Sequence, residues 1–375
     1  MHTGARMTFG PPFVGLATPM LGFGAWAVGG SAWGEADSET ERLVAIQLAR
    51  ERGVTFFDTA PTYGDGESER LLGRAFKAQR EQVVIATKVG PRDDPRRSLE
   101  GSLRRIESDH VDLVQLHEAL DRWEWRLETL HQLQEEGKAR AVGLCNATHL
   151  QLRRALEIAP VASFQAAYNL FDRDVEQREL PWCRERGLAF LAYRPLAAGL
   201  LTGKYASAPA FPPGDHRAKI YWFQGREFAR RAAVIERLRP LARGAGLSLA
   251  ALALRWLLAR SGVTVVLAGA RDRRQVEENL VAQAGPLPLD LVSKVDDVVA
   301  EAFRLPRASA DAVAQARAWG PRERFIVERL DGSSSPEAIA AEWTDRGETS
   351  MVAAQVKVFV DQMSERGCFK LKAEG

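Results

Sequence analysis

The sequence predicts an α/β fold, a (β/α)8 TIM barrel with a C-terminal helical extension. Short apolar, β-branched or aromatic runs alternate with longer stretches of helical period, as expected for βα units around a parallel sheet. Eight such runs fit in about 300 residues, which favours a closed barrel. In addition, four ionisable residues stand at or just after the ends of these runs, where the active sites of such barrels lie.

The predicted strands are short and evenly spread along the chain. They lie at Leu21–Ala27, Val54–Thr59, Val83–Val89, Val111–His117, Ala139–Asn146, Ser163–Asn169, Leu188–Arg194 and Val263–Gly269. Helical period between them predicts helices at Glu39–Arg52, Ser68–Gln79, Ser98–Ser108, Glu124–Glu136, Leu150–Ile158 and Val175–Arg186. Two more helices, Glu227–Gly244 and Ser248–Ser261, precede the last strand, and Ser248 is suited to cap the second.

A doubly wound sheet is the rival architecture. If such a sheet bound a dinucleotide, a GxGxxG turn would normally follow its first strand. Here Gly22-Phe23-Gly24 is followed by Ala-Trp-Ala, so the fingerprint is missing from that position. Any nucleotide must therefore be held in another way.

Composition narrows the class of partner. The chain has 375 residues, of which 46% are hydrophobic and 27% charged, enough to bury a large core. A net charge of +2 gives no electrostatic reason to expect nucleic acid or an anionic membrane as the main partner. Three scattered cysteines and no CxxC pair indicate neither a disulfide framework nor a metal site. We therefore expect a cytoplasmic protein without metal or membrane span that acts on a small molecule.

The four ionisable residues are Asp58, Tyr63, Lys88 and His117. A tyrosine donates a proton near neutral pH only if cationic or hydrogen-bonding neighbours lower its pKa from about 10. Lys88 and His117 are suited to that task, and a carboxylate at Asp58 would keep a buried lysine charged. The remaining histidines have no metal-like spacing and are interpreted as structural: His2, His110, His131, His149 and His216.

Eight motifs in a fixed order carry a family resemblance: GFGAWAVGG, FFDTAPTYGDGESERLLGRAF, IATKVG, VDLVQLH, GKARAVGLCN, FQAAYN, LAYRPLAAGLLTGKY and GARDRRQVEEN. From about Met20 to Ala302 the chain resembles an aldo-keto reductase. The resemblance implies that Tyr63 protonates a carbonyl oxygen while NAD(P)H delivers hydride to the carbon. It also implies that Lys88 and His117 tune Tyr63 and that Asp58 pairs with Lys88.

The same resemblance implies the cofactor contacts. The nicotinamide end is matched by Gly24, Ala25, Trp26, Asn146, Gln165 and Tyr193, where the two amides hold the carboxamide and the tyrosine stacks on the ring. The pyrophosphate loop is matched by Arg194, Pro195, Leu196, Gly199, Leu200, Thr202, Gly203 and Lys204. The adenosine end is matched by Gly269, Ala270, Arg271, Gln275, Glu278 and Asn279.

Several positions depart from the family pattern or decide between cofactors. Arg271 is suited to a 2′-phosphate, so NADPH is expected in preference to NADH. Gln275 replaces an arginine found in many relatives, which would loosen that grip. Cys145 and Arg194 stand where serines are common.

Aromatic residues and one long loop are the candidates for substrate recognition. Trp26 and Trp33 are predicted to line the substrate pocket. Other aromatic residues that could wall it are Trp123, Trp125, Tyr221 and Trp222. The proline-rich stretch Ala206–Arg226 is longer than an ordinary connection and is predicted to be a lid or binding loop.

The sequence divides into residues 1–304, the barrel, and residues 305–375, a helical extension or small appended module. Helical period returns in Asp311–Ala318, Pro336–Trp343 and Met351–Glu365. The tail contains FIVERLDGSSSPEAIAAEW followed by AAQVKVFVDQMSERGCFKL. These roughly 50 residues resemble the second half of the winged-helix module that recognises leader peptides in pyrroloquinoline quinone biosynthesis and other peptide-modification pathways. The extension could bind a peptide or protein partner, cap the active site, or stabilise the barrel.

The resulting functional prediction is NADPH-dependent reduction of a small aldehyde or ketone to an alcohol. Two alternatives stay open. One is an NADPH-binding regulatory subunit with slow turnover that contacts a partner protein. The other is a reductase whose substrate, a peptide or biosynthetic intermediate, is recruited by the C-terminal extension.

Overall fold

A computed structural model describes Phe13 and residues 20–30, 32–34, 37–303, 325–327, 329, 330, 335–345, 355, 356, 359, 360 and 363. Eight parallel strands close into a barrel in sequence order, which confirms the predicted fold class. They are β1 (Met20–Gly24), β2 (Phe56–Asp58), β3 (Val84–Val89), β4 (Leu113–Leu116), β5 (Val142–Cys145), β6 (Val161–Ala167), β7 (Ala189–Tyr193) and β8 (Val263–Ala268).

Helices surround the strands in the expected alternation. They are α1 (Glu39–Glu51), α2 (Glu67–Phe76), α3 (Pro95–Ile106), α4 (Trp123–Glu135), α5 (His149–Ile158), α6 (Glu179–Arg186), α7 (Gly225–Gly244), α8 (Leu249–Leu258), α9 (Arg273–Leu280), α10 (Leu289–Phe303) and α11 (Pro336–Asp345). Ser248 caps α8 as predicted, because its side chain accepts a hydrogen bond from the backbone N–H of Ala251.

Most strands are shorter than predicted because ladder pairing stops before the apolar sequence does. β1 was expected to reach Ala27, but its pairing with β2 ends at Gly24 and a 3-10 helix follows over Ala25–Val28. β4 was expected from Val111, which forms only an isolated bridge to Ala139. Apolar periodicity reports burial, and burial continues past the last ladder hydrogen bond.

Strand alternation divides the hydrophobic residues into two cores. Inward-facing side chains fill the barrel, among them Phe56, Ala86, Leu113, Leu191 and Val265. The next residues along the strands face the surrounding helices, where they pack in a larger core. The inward row therefore continues towards the C-terminal ends of the strands, and the side chains there face the barrel mouth.

The described part of the extension contains a small hydrophobic cluster of its own. Its buried members are Phe325, Ile326, Val327, Leu330, Ile339, Ala340, Trp343, Val356, Val360 and Met363. The predicted helix at Pro336–Trp343 matches α11, whereas Asp311–Ala318 lies outside the described residues. The boundary at 304/305 and the winged-helix resemblance stay predictions.

Within the described ranges, none of the helices is by itself long and apolar enough to cross a bilayer. Only when α7 and α8 are taken together, with the bend of 83° between them, do length and composition reach those of a membrane span.

Candidate active site

Period-2 alternation along the strands brings the four predicted catalytic residues together. Two residues after Phe56 the inward row of β2 reaches Asp58, and two residues after Ala86 that of β3 reaches Lys88. His117 directly follows β4, and Tyr63 lies on the loop after β2. All four are at the C-terminal end of the barrel, as the sequence predicts.

A cavity of about 720 Å³ opens at this end. Three of the four residues line it: Asp58, Tyr63 and His117. Predicted cofactor and substrate residues that line it are Gly24, Trp26, Trp33, Asn146, Gln165, Tyr193, Arg194, Pro195, Leu196, Gly199, Thr202, Lys204, Gly269, Arg271, Gln275, Glu278 and Asn279.

Five predicted residues do not line this cavity. Lys88 lies behind it, with only 1% of its surface exposed. Ala25, Leu200 and Ala270 are buried in the core, where their side chains face neighbouring elements, and Gly203 has no side chain to present. Likewise, the aromatic residues Trp123, Trp125, Tyr221 and Trp222 are not among the residues that line it.

Lys88 and Asp58 form a buried ion pair at the base of the cavity. The Lys88 Nζ lies 2.5 Å from Asp58 Oδ1 and donates a second hydrogen bond, of 2.9 Å, to the Thr59 carbonyl. The other Asp58 oxygen accepts a 2.8 Å hydrogen bond from Gln165 Nε2. Burial alone would lower the pKa of Lys88, but the charges of Asp58 and Tyr63 outweigh it and raise that pKa above its ordinary value. Lys88 is therefore an ammonium at neutral pH.

The Tyr63 ring lies between the Lys88–Asp58 pair and the ring of Trp26. It stacks on Trp26, with centroids 5.5 Å apart and planes 16° apart, and Lys88 Nζ lies 5.0 Å from its centroid. Burial raises the pKa of Tyr63 to about 12, although the Lys88 charge opposes that shift. The expectation that neighbours lower this pKa below 10 is wrong for the protein alone, because desolvation of the phenolate exceeds the attraction of one ammonium already paired with Asp58.

His117 completes the group as a neutral imidazole. Its ring lies edge-on to Tyr63, with centroids 6.1 Å apart. Burial, followed by the positive charge of Lys88, lowers the pKa of His117 to about 4. At neutral pH the ring can donate one hydrogen bond and accept another, but it contributes no positive charge.

Close backbone contact fixes the loop that carries Tyr63. Gly64 has φ +63°, and a Cβ there would lie 1.4 Å from the Gly29 carbonyl oxygen. A Cβ at Gly29 would in turn lie 2.7 Å from the Tyr63 carbonyl. Only glycine fits at Gly64, so this contact determines where the phenol stands.

The residues predicted to hold a carboxamide are already hydrogen-bonded within the protein. Asn146 Nδ2 donates to the His117 carbonyl over 3.1 Å, and Asn146 Oδ1 accepts from the Tyr193 hydroxyl over 2.9 Å. Each amide nitrogen carries two hydrogens and each amide oxygen two lone pairs. Asn146 and Gln165 therefore retain the capacity to bind a ligand, and their role as cofactor contacts stays a prediction.

Basic side chains gather along the β7–β8 side of the cavity. Lys204 keeps an exposed surface there, and partial desolvation by the surrounding residues, together with the charges of Arg217, Arg271 and Arg274, lowers its pKa. In the loop after β7 the backbone has positive φ at Ala197, Ala198 and Gly199 in succession. Left-handed backbone at non-glycine residues is strained and often marks a functional loop, and turns of this kind direct N–H groups into anion-binding concavities.

Two loops meet across the cavity. His216 N–H donates to the Ala32 carbonyl over 2.8 Å, and Arg217 Nη2 donates to the Trp33 carbonyl over 2.8 Å. We call these contacts between residues 32–34 and residues 215–217 the loop bridge. The predicted lid or binding loop therefore lies against the cavity.

Sequence reasoning missed several lining residues. They are Ala27, Thr62, Glu118, Ala198, His216, Arg217, Ala250, Leu267 and Arg274. His216 was interpreted as structural, yet its ring packs edge-on against Trp26 with centroids 4.7 Å apart. The signal that could have revealed it is its position inside the long proline-rich loop, which was predicted to bind ligand.

Comparison with known proteins agrees with this geometry. The profile of the Aldo/keto reductase family matches residues 20–300. The chain belongs to the aldo/keto reductase family. It is therefore an oxidoreductase, and the predicted aldo-keto reductase barrel is confirmed.

Individual relatives cover most of the barrel. Aldo-keto reductase YhdN of Bacillus subtilis is 35% identical over 280 residues, which span 70% of this chain and 84% of the relative. The NADH-specific methylglyoxal reductase of Escherichia coli is 32% identical over 301 residues, which span 70% of this chain and 89% of the relative.

Among solved structures, the glycerol dehydrogenase AKR11B4 of Gluconobacter oxydans is 32% identical with a TM-score of 0.69, covering 79% of this chain and 96% of that one. An aldo-keto reductase of Klebsiella pneumoniae in complex with NADPH is 27% identical with a TM-score of 0.61, covering 74% of this chain and 90% of that one.

Proposed function

We propose that this chain reduces the carbonyl group of an aldehyde or ketone to an alcohol, with NADPH as the hydride donor and Tyr63 as the general acid. The observation that carries the proposal is the position of the Tyr63 phenol. It lines the cavity, stacks on Trp26 and lies beside the buried Lys88–Asp58 pair. A proton donor in that position can reach a carbonyl oxygen that enters the cavity.

The pKa values support this direction of proton transfer. With a pKa of about 12, Tyr63 holds its proton throughout the neutral range. As the proton leaves, Lys88 stabilises the phenolate that forms, and Asp58 keeps Lys88 charged. Neutral His117 can donate a hydrogen bond to the same carbonyl oxygen, which is stronger when that oxygen becomes negative.

The residues present fit a dinucleotide. Lys204, the positive-φ backbone after β7 and Arg271 offer positive charge and N–H groups to phosphates, and Tyr193 offers an aromatic face at the other end. When bound, the reduced cofactor supplies the hydride that the carbonyl carbon accepts. Asn146 and Gln165 would orient its carboxamide with their unused donors and acceptors.

Arg271 supports NADPH over NADH. Its guanidinium lines the cavity, where it contacts the Trp33 carbonyl and lies 3.3 Å from Asp37. A guanidinium can bind a 2′-phosphate through several N–H groups. Because Asp37 competes for that charge and a relative is NADH-specific, NADH remains the alternative cofactor.

The test is NADPH oxidation with 4-nitrobenzaldehyde by the wild-type chain and by Tyr63→Phe. We expect the substitution to lower kcat by roughly 10²- to 10⁴-fold, the contribution of a general acid, while NADPH affinity measured by fluorescence titration is retained. Tyr221→Phe is the matched control, because Tyr221 is 40% exposed and outside the cavity lining. A Tyr63→Phe protein that turns over like the control would refute the assigned acid.

The same assay separates the regulatory alternative, which the loop bridge favours because it would slow cofactor exchange. A sensor subunit would show one fast turnover per chain in stopped-flow measurements, followed by a very slow steady state. An enzyme would show a steady-state rate close to the rate of its first turnover.

A further inference from the structure

Arg194 presents a guanidinium to the cavity that the described residues do not neutralise. One nitrogen, Nη2, lies 3.0 Å from His216 Nε2, and Nε is buried without a hydrogen-bond partner. Arginine only donates, so His216 accepts this bond as a neutral ring. Among the described carboxylates, none forms an ion pair with Arg194. A buried donor without a partner is costly, so an anionic ligand that hydrogen-bonds this guanidinium would stabilise the site.

The other cavity arginines differ from it in this respect. Each already has a carboxylate, in the ion pairs Arg217–Asp215, Arg271–Asp37 and Arg274–Glu278. Lys204 lies among these three arginines, whose charges affect its pKa. Arg194 instead lies beside aromatic rings, with its guanidinium 5.6 Å from the centroid of Tyr193. Arg194 therefore differs from these three arginines in having no carboxylate partner among the described residues.

A chain of contacts connects Arg194 to the proposed acid. Tyr63 stacks on Trp26 at 5.5 Å, Trp26 packs edge-on against His216 at 4.7 Å, and His216 bonds Arg194 at 3.0 Å. Trp26 and His216 thus form a short wall that begins at the phenol and ends at the guanidinium. A small molecule lying along this wall could contact both ends.

The backbone holds Arg194 in this position. Its φ of +54° lies in the left-handed region, which is unfavourable for arginine. Asn169 Nδ2 donates to the Arg194 carbonyl over 3.1 Å, and the Arg194 carbonyl also accepts from Ala197 N–H over 2.9 Å. Strained backbone fixed by two hydrogen bonds directs the side chain into the cavity, as is common at functional sites.

We propose that Arg194, oriented by His216, binds a carboxylate on the carbonyl substrate, so that the preferred substrates are aldehydes or ketones that carry an acid group. The inference rests on the proposed function and names its substrate class. A planar guanidinium recognises a carboxylate through two parallel hydrogen bonds, and no carboxylate among the described residues occupies the guanidinium of Arg194. A phosphate of the cofactor offers the same chemistry, and the experiment separates these two sources.

The experiment compares two aldehydes of similar shape, 4-formylbenzoate and 4-formylbenzamide. The wild-type chain should prefer the acid, and Arg194→Gln should lower the acid-over-amide ratio of kcat/KM by roughly 10- to 100-fold, the loss expected for hydrogen bonds to a charged group. Arg92→Gln is the matched control, since it removes one exposed positive charge from the loop after β3, outside the cavity lining. It should leave the ratio unchanged.

Two further measurements make the result unambiguous. If Arg194→Gln lowers both substrates equally and weakens NADPH binding in fluorescence titration, the oxyanion is a cofactor phosphate and the inference is wrong. Calorimetric binding of terephthalate to the NADPH-loaded chain needs no turnover. If no carbonyl is reduced, the proposed function fails. In that case, loss of terephthalate binding in Arg194→Gln would still support the carboxylate site. Equal terephthalate binding by the wild-type chain and Arg194→Gln would refute the carboxylate site.

His216 is tested as a positioning residue by rescue. His216→Phe keeps an aromatic ring against Trp26 but has no acceptor for Arg194, so it should lower the acid-over-amide ratio in the same direction as Arg194→Gln. His216→Gln restores an acceptor and should recover part of the ratio. Equal ratios in these two variants would mean that His216 does not orient Arg194.

Discussion

On the β2–β4 side of the cavity Lys88 and Asp58 are buried and neutralise each other, whereas on the β7–β8 side Arg194 and Lys204 face the cavity without a carboxylate partner among the described residues. On the first side the ion pair is shielded from solvent, with Lys88 only 1% and Asp58 only 3% exposed. The second side is partly open, and its backbone has positive φ at several successive residues.

The two sides differ in what compensates their charges. A buried charge must be compensated by the protein itself, since water cannot reach it, so the β2–β4 side is built before any ligand arrives. On the other side Lys204 is exposed, so water can solvate its charge, whereas the half-buried Arg194 is only partly solvated. They are available to anionic groups of a cofactor or substrate. Each prediction below alters one side and asks whether the other is unaffected.

The largest effect is expected from Lys88→Met. Removing the ammonium leaves the Asp58 carboxylate buried with Gln165 as its one remaining side-chain partner among the described residues, which should cost about 3–5 kcal/mol in free energy of unfolding. Turnover should fall with it, because nothing then stabilises the Tyr63 phenolate. Urea unfolding monitored by circular dichroism measures the first effect, and NADPH oxidation the second.

The double variant Lys88→Met/Asp58→Asn is its control. It removes both charges, so much of the lost stability should return while turnover stays low. If the single and double variants are equally unstable, the loss is due to packing, and the description of this side as a compensated charge pair is wrong.

The sequence predicted the fold and the catalytic residues of the β2–β4 side, but it did not predict the pKa values and hydrogen bonds of those residues. The strand ends at Asp58, Lys88 and His117 are local features, and one period of alternation places all three at the barrel mouth. The pKa of Tyr63 depends on how deeply its ring is buried, which no spacing reveals. The bonded contact of Gln165 with Asp58 joins residues 107 positions apart in the chain.

On the open side the sequence indicated less. Family resemblance located the basic residues, but their ion pairs depend on the conformation of the loop after β7. Arg194 was noted as a departure from the family pattern, yet its contact with His216 requires the chain to return across the cavity 22 residues later. Such contacts have no periodic signal, so they became visible only in three dimensions.

A smaller effect on stability is expected from acid through His117. Its pKa is about 4 in the folded protein and about 6.5 when unfolded, so the unfolded chain binds more protons between these values. Stability should therefore fall as the pH drops from 6.5 towards 4, by roughly 2–3 kcal/mol from this group alone. His117→Gln cannot take up the proton and should lack that part of the slope.

Urea unfolding of both proteins at pH 7 and pH 4.5 measures the difference. Other groups titrate in both proteins, so only the difference between their slopes reports on His117. Identical slopes would show that His117 is as solvated in the folded chain as in the unfolded one, and the β2–β4 side would then be more open than the structure indicates.

The smallest effect is expected from Lys204→Met, which acts on ligand affinity and hardly on stability. Lys204 has no carboxylate partner to lose within the described ranges and is exposed, so unfolding should change little. NADPH affinity should fall by about tenfold at low salt, and added salt should weaken the wild-type complex more than the variant complex. Lys77→Met, which removes an exposed lysine paired with Glu107 far from the cavity lining, is the control in the same fluorescence titration.

The result for Lys204 also decides how the open side is divided. If Lys204→Met weakens NADPH binding and Arg194→Gln does not, the two unpaired cations serve different ligands, one the cofactor and the other the substrate. If both substitutions weaken NADPH binding by similar factors, the open side is a single phosphate site. In that case the cationic surface would contribute to affinity for the cofactor alone, and discrimination between carbonyl compounds would rest on the aromatic wall formed by Trp26, Trp33 and His216.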